Sequence, residues 1–409
     1  MKVLLITPVP PRDKVDGGLA TVLYARLRGL IDVGHEVVLV TPCGPDPEEA
    51  RAVAALRSEG VAVVVASRHL GHDRWRRRAR MAWRWLAGTP WRTVWFGEPG
   101  LQEVIDDLVG AERFDIVDVQ DNSMAGYRLP TSVPRILTEH EVRRRRPRTI
   151  RPPGGLTDLK FVFAEADWRR WYRYQRLAWG RFDAIEVFTP RDAESLSSIA
   201  PELVNRVRVV PFGIVIPPRR DVGAEADGAT IAFIGNYTHS PNVDAAQWLV
   251  RDILPLVRRR VPDAKVRLAG AQAPVEVHEL SSDAVEVVGR VDDADDFLRR
   301  ATVVVAPVRT GGGMRVKVLH AMASGQALVV TGRGAEGLSS SDRHGLLIAD
   351  DSVGFADAIV RLMTQPEERA RLGAEARRIA EERFGPVPAA LRITEMYEAV
   401  LAGKRPGLP

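Results

Sequence analysis

Three glycines, an arginine and a lysine, packed together at positions 311 to 317, carry the clearest chemistry in this 409-residue chain. Gly311, Gly312 and Gly313 lead through Met314 to Arg315 and Lys317, and the segment VKVLHAMA has helical spacing. Glycines let backbone N–H groups approach an anion closely, and a helix start adds the positive end of its dipole. Cations in a first helical turn oppose that dipole, so Arg315 and Lys317 call for a compensating anion there. Together these residues make a seat for a diphosphate. A second candidate is His140 in TEHEV, between Glu139 and Glu141 and directly after the strand-like RILT. At a strand's carboxyl end an imidazole can take up a proton or hydrogen-bond a substrate.

The elements that must position these groups alternate along the chain. Continuous apolar runs at Val3 to Thr7, Val37 to Thr41 and Val61 to Ala66 read as strands of a parallel sheet covered on both faces. Shorter strands are expected at 116–119, 135–138, 184–189 and 206–210, and a helix from Leu19 to Val33 stopped by Gly34. The pattern breaks at Pro211, Pro217 and Pro218 and the polar RRDVGAEADGA, which reads as a linker. It restarts with strands at 230–234, 265–269, 284–288, 302–306 and 327–331, and helices at 242–261, 292–300, 366–383 and 388–401. Such alternation implies two doubly wound α/β halves, whose ligands sit at the carboxyl ends of strands. Glycine-marked loops stand there at Gly17-Gly18, at Gly235-Asn236 and at Gly311 to Gly313. A glycine pair alone serves an ordinary turn equally well.

Composition narrows the function classes. Hydrophobic residues at 45% and charged residues at 27% suit a globular enzyme with real cores. No apolar run approaches the length of a membrane span, and the short run before Pro8 is too brief for a signal peptide, so the expected location is cytoplasmic. The single Cys43 leaves no intramolecular disulfide. Walker A, G-x-G-x-x-G after the first strand of either half, G-x-S-x-G and H-E-x-x-H are all missing, which argues against P-loop ATPases, dinucleotide redox enzymes, serine hydrolases and zinc enzymes. The net charge of +5 is carried mostly by RWRRRARMAWR (Arg74 to Arg84) and RRRRPRTIR (Arg143 to Arg151). That asymmetry fits an anionic partner of the first half, or a solvated basic face. The stretch Trp75 to Trp85 also reads two ways: an interfacial amphipathic helix, or an ordinary helix burying its tryptophans against the sheet.

Taken together, IAFIGNYTHSPNVDAAQWLVRDILPLVRRRVPDAKVRLAG, VEVVGRVDD, the 306–338 segment, the EHEV segment and PFGI resemble the GT-B glycosyltransferases of family 4, the glycosyl transferases group 1. The resemblance spans nearly the whole chain and is strongest in the second half. Its flavour, a loop of the form G-G-x-R-x-K, is that of exopolysaccharide and cell-surface sugar transferases. It implies two Rossmann-like domains facing across a cleft: 1–215 on the acceptor side, 216–385 binding the nucleotide sugar, and a last helix, 386–409, returning to the first domain. It implies retaining, metal-independent transfer from a nucleoside diphosphate sugar to an acceptor hydroxyl, on a sugar, lipid-linked or small-molecule acceptor, with no other cofactor and no nucleic acid. Arg315 and Lys317 would stabilise the leaving diphosphate, and His140 would meet the sugar near its reacting carbon. Gly17, Gly18, Asn236, Asn242, Gly311, Gly312, Gly313 and Met314 would line the donor site, and Arg290 would lie where the base is read. The family commonly carries two glutamates eight positions apart around this loop. Those positions are Gly312 and His320 here, and a neutral imidazole accepts one hydrogen bond where a carboxylate accepts several. Members acting on lipid-linked acceptors dock on membranes through basic helices, which would give 74–85 a peripheral membrane contact. Two rival readings are an epimerase of nucleotide sugars with the same fold, and a non-catalytic basic module binding membrane or nucleic acid.

Overall fold

A computed structural model describes residues 1–13, 18–67, 74–96, 98–142, 159–219 and 228–403. Gly17 and the basic run 143–151 lie outside the described residues. Seven strands form the first sheet: β1 (Lys2–Ile6), β2 (Glu36–Cys43), β3 (Ala62–Ser67), β4 (Ile116–Gln120), β5 (Arg135–Glu139), β6 (Ala184–Val187) and β7 (Val207–Val209). All pairings are parallel, in the order β3-β2-β1-β4-β5-β6-β7. The second sheet has β8 (Thr230–Ile234), β9 (Lys265–Ala269), β10 (Val285–Gly289), β11 (Val303–Ala306), β12 (Leu328–Val330) and β13 (Leu346–Ile348). It is parallel throughout, in the order β10-β9-β8-β11-β12-β13. Each sheet therefore reverses its winding once, between β1 and β4 and between β8 and β11. The loops leaving those strands open a crevice at the carboxyl edge, where doubly wound sheets hold ligands.

The central strands are continuous apolar runs because helices cover both faces. Leu4, Leu5, Ile6, Phe233, Val303 and Val329 are fully buried. The helix expected at 242–261 is Ser240–Trp248, followed by a wider π turn over Leu249–Ile253 and then Leu254–Arg258. Pro255 lacks an N–H and crowds the preceding turn, which accounts for the change of pitch. β13 and the helix Ser352–Thr364 are two elements beyond those expected, although Phe355, Ala356, Ile359, Val360 and Leu362 give the helix a buried face at helical spacing. That helix is started by Asp351, whose Oδ1 accepts from Val353 and Gly354 N–H at 3.0 and 2.9 Å.

The chain forms two compact units. One holds Met1–Arg12, Leu30–Val210 and Leu391–Pro409; the other holds Asp13–Gly29 and Pro211–Ala390. In the first, the final helix (Pro386–Leu401) places Tyr397, fully buried, so that its hydroxyl donates to Asp118 Oδ2. Thr394 Oγ1 lies 2.7 Å from His35 Nε2.

Candidate active site

Within the second unit, the crevice between β8 and β11 gathers most of the candidate residues. The glycine loop leaves β11 and enters the helix Val316–Ala323. Gly311 and Gly313 have φ of 86° and 82°, a conformation in which a Cβ would clash with the backbone. Arg315 stands at the helix N-cap and folds back over the loop, donating to Gly312 O at 3.0 Å and Thr310 O at 3.3 Å. Met314 is buried beneath the loop. Arg309 ties the loop's start to the helix Ser240–Trp248 by an ion pair with Asp244 at 2.6 Å and lies over Trp248 at 4.9 Å.

Lys317 is the central cation. The residue as a whole is half-buried and its ammonium is enclosed, donating to Asn242 Oδ1 at 2.7 Å and lying 4.4 Å from the centre of the Phe233 ring. A Cβ at Gly235 would come within 2.8 Å of Nζ, so glycine there makes room for it. Asn242 Nδ2 donates to Asn236 O at 2.6 Å, and Asn236 Oδ1 accepts from Thr238 N–H and hydroxyl at 3.0 and 2.7 Å. Among the described residues no carboxylate pairs with Lys317. Burial, and then the neighbouring Arg315 charge, push its pKa down to about 7. A cation so placed is stabilised by whatever anion enters the loop.

Other expected residues fall elsewhere. Gly18, in the second unit, heads the helix Gly18–Asp32, and a Cβ on it would lie 3.2 Å from Val316 Cγ2. Arg290 is exposed directly after β10. His320 is buried on the helix Val316–Ala323, with Nε2 at 2.9 Å from Asp295 Oδ1. Sequence reading passed over two members of this site, Phe233 and Gly270. Gly270 has φ 150°, and a Cβ on it would stand 1.7 Å from Gly235 O, so the loops after β8 and β9 touch backbone to backbone.

His140 sits in the first unit, half-buried just beyond β5. Its Nε2 lies 3.1 Å from Gln120 Oε1, and its ring meets Phe188 edge-on at 5.0 Å. Glu139 does not flank the imidazole. Strand alternation turns it into the core, where it accepts from Trp179 Nε1 at 2.7 Å. At the end of β4, Asp121 has φ 74°, and its Oδ1 accepts from Ser123 N–H at 2.9 Å. A non-glycine residue in that region is strained, a feature that concentrates at functional sites.

Comparison with known proteins follows the same division. A family model for Glycosyltransferase Family 4 matches residues 16–216, and one for Glycosyl transferases group 1 matches residues 228–365. The chain belongs to the group 1 glycosyltransferases. It is 26% identical over 261 residues to the lipopolysaccharide core biosynthesis mannosyltransferase LpcC of Rhizobium leguminosarum, covering 60% of this chain and 73% of that protein. It is also 26% identical over 140 residues to an uncharacterized 44.6 kDa protein in the cps region of Klebsiella pneumoniae. That match covers 32% of this chain and only 36% of the Klebsiella protein, about a third of its length. Among solved structures, Anabaena HepE in complex with UDP superposes with a TM-score of 0.65 at 13% identity, covering 98% of this chain and all of that one. This glycosyltransferase therefore has the GT-B fold, two parallel-sheet α/β units of seven and six strands.

Proposed function

We propose that the chain is a retaining, metal-independent glycosyltransferase that takes its sugar from a nucleoside diphosphate sugar and delivers it to a hydroxyl of a cell-surface glycan or lipid-linked acceptor. The observation that carries this reading is Lys317, a buried ammonium with no carboxylate partner among the described residues, beside Arg315 and a glycine loop at the β8/β11 reversal. As the sugar–phosphate bond breaks, negative charge grows on the departing diphosphate. Lys317, Arg315 and the loop N–H groups of Gly311 to Gly313 stabilise that charge in place of a metal ion. Asn242 orients the lysine, Asn236 shapes the loop that Asn242 grips, and His320 with Asp295 meets the ribose. His140 serves the reacting sugar in the first unit. HepE's complexes with UDP and UDP-glucose, and the lipopolysaccharide mannosyltransferase among the relatives, support a nucleotide-sugar donor and a surface-glycan acceptor.

A thermal-shift panel of UDP-, GDP-, dTDP- and ADP-sugars tests the donor. One class is expected to raise the melting temperature, with about 2.7 kcal/mol of stabilisation at a hundred times its Kd. If none of the four classes shifts it, the donor reading fails. Product made in EDTA should form at the uninhibited rate and keep the donor's anomeric configuration by proton NMR. An inverted product, or loss of turnover in EDTA, would remove the corresponding half of the proposal.

The helix Arg74–Leu86 supports a bilayer-facing acceptor. Trp83 and Leu86 are 69% and 70% exposed, and Phe163 and Trp91 are partly exposed nearby in the chain's fold. Trp85 is half-buried against the helix Leu159–Trp179. It stacks on Phe163 at 4.6 Å, lies under Arg170 at 3.9 Å and donates to Asp167 at 2.9 Å. An exposed tryptophan and leucine on an arginine-rich helix suit an anionic lipid surface. Among the described residues no helix is long and apolar enough to cross a membrane. Co-sedimentation with vesicles containing phosphatidylglycerol is expected for the intact protein, reduced at high salt and reduced again by Trp83→Ala with Leu86→Ala. Binding equal to that on neutral vesicles would overturn the assignment.

A further inference from the structure

A buried polar chain runs inward from His140. Gln120, at the end of β4, places Nε2 at 2.6 Å from Asp118 Oδ1 and 2.9 Å from Thr138 Oγ1. Thr138 spends its own proton on Glu186 Oε2 at 3.0 Å, so its oxygen accepts from Gln120. Asp118 takes the Tyr397 hydroxyl on Oδ2, so its carboxylate is an acceptor on both oxygens. Asp118 and Glu186 are fully buried, and Gln120 is 1% exposed.

This bookkeeping fixes the amide. Turning it over would set Gln120 Oε1 at 2.6 Å from a carboxylate oxygen and 2.9 Å from a hydroxyl oxygen whose proton is already given to Glu186, acceptor facing acceptor at both contacts. With the amide NH₂ committed inward, Oε1 must face His140, 3.1 Å away. An amide oxygen only accepts, so His140 Nε2 must donate. Phe188 holds the ring plane from the side at 81°.

We infer that Gln120 is a positioning residue, which holds His140 as the Nε2–H tautomer and so puts the neutral ring's lone pair on Nδ1. The substrate would then meet an imidazole whose accepting and donating sides are set by the sheet behind it. The inference rests on the proposal that His140 serves the reacting sugar. The rest of the chain, Asp118, Thr138, Glu186 and Tyr397, acts by fixing Gln120. The arrangement is an instance of a histidine whose working nitrogen is chosen by the bond the other nitrogen makes.

Multiple-bond ¹⁵N–¹H correlation of protein labelled at histidine reads the tautomer directly, with the His140 signals assigned by their loss in His140→Gln. The expected result is a neutral His140 protonated at Nε2 in the unsubstituted protein; protonation at Nδ1 would overturn the inference without any variant needing to fold. Gln120→Met keeps the bulk and removes the acceptor. Once its fold is verified by circular dichroism, it should show mixed tautomers and a kcat lower by roughly 10- to 100-fold, by analogy with the orienting partners of metal-bound histidines, with the donor KM little changed. A folded Gln120→Met with an unmixed Nε2–H signal and full kcat would also overturn it. Turnover of His140→Ala reports separately on the underlying proposal: full activity there removes the catalytic reading, while the tautomer spectrum judges Gln120 by itself.

Discussion

Lys317→Ala is expected to weaken binding of the nucleoside diphosphate sugar on the order of 100-fold or more while leaving the donor-free fold as stable as before. Both halves follow from the same geometry. The ammonium is enclosed between Asn242 and the Phe233 ring, with Gly235 leaving just enough space. Burial there disfavours the charged form, as the fall of its pKa to about 7 shows, so the empty site gains little from the charge. A bound diphosphate reverses the balance. Losing one partner of an enclosed charge pair costs about 2–5 kcal/mol, or about 30-fold to several thousandfold in affinity. Calorimetric titration of UDP, GDP, dTDP and ADP, with thermal unfolding of the same protein, measures both. Unchanged affinity for every diphosphate would remove Lys317 from the site.

The same lysine sets a pH dependence. In the free protein it is protonated below about pH 7 and loses its proton above it. A diphosphate favours the ammonium and raises its pKa, so binding above pH 7 takes up a proton. Affinity should therefore be flat on this account below pH 7 and fall as pH rises, by up to tenfold per unit for a single proton. Lys317→Met, neutral at every pH, should lose that slope. A slope surviving in Lys317→Met would assign the proton elsewhere.

How much of this could be read from the sequence depends on the distance over which each feature is encoded. The strands of both sheets are legible because helices cover both faces and leave continuous apolar runs such as VLLI and VVLV. The glycine loop is legible because turn, charge and helix start lie within a few residues. Phe233 looks like any core residue of β8 until the fold brings Lys317 over it. Glu139 stands beside His140 in sequence, but strand alternation sends it to Trp179 instead. The bond from Tyr397 to Asp118 joins positions 279 apart, so no local pattern could announce it. Gln120 gave no signal either: one glutamine after an apolar strand means nothing until Asp118, Thr138 and His140 surround it.

Gly270 is the clearest case of a residue silent in sequence and decisive in the fold, and Gly270→Ala is expected to damage both stability and donor binding. Two costs combine. Its φ of 150° is one that residues with side chains rarely adopt, and a Cβ would stand 1.7 Å from Gly235 O and 3.0 Å from Tyr237 Cε2. The obstacle is backbone, laced in place by Gly235 N–H to Ala269 O at 3.0 Å, Tyr237 N–H to Ala271 O at 3.2 Å and Gly270 N–H to Gly289 O at 2.7 Å. Relief by side-chain rotation is therefore closed. Strain and overpacking each cost about 1–3 kcal/mol, so the fold should lose about 3 kcal/mol, a fall of roughly 6–12 °C in melting for a unit of this size. The displaced loop includes Gly235, whose position makes room for Lys317, so donor affinity should fall at least tenfold as well. Gly289 provides the control. Its φ is also positive, at 78°, but nothing lies within 4 Å of where its Cβ would be. Gly289→Ala should then cost only the conformational part, about 1–2 kcal/mol, and leave donor affinity nearly intact. Equal melting shifts for the two alanine variants would mean that the contact between the β8 and β9 loops does not carry the site, and that backbone conformation alone explains the need for glycine.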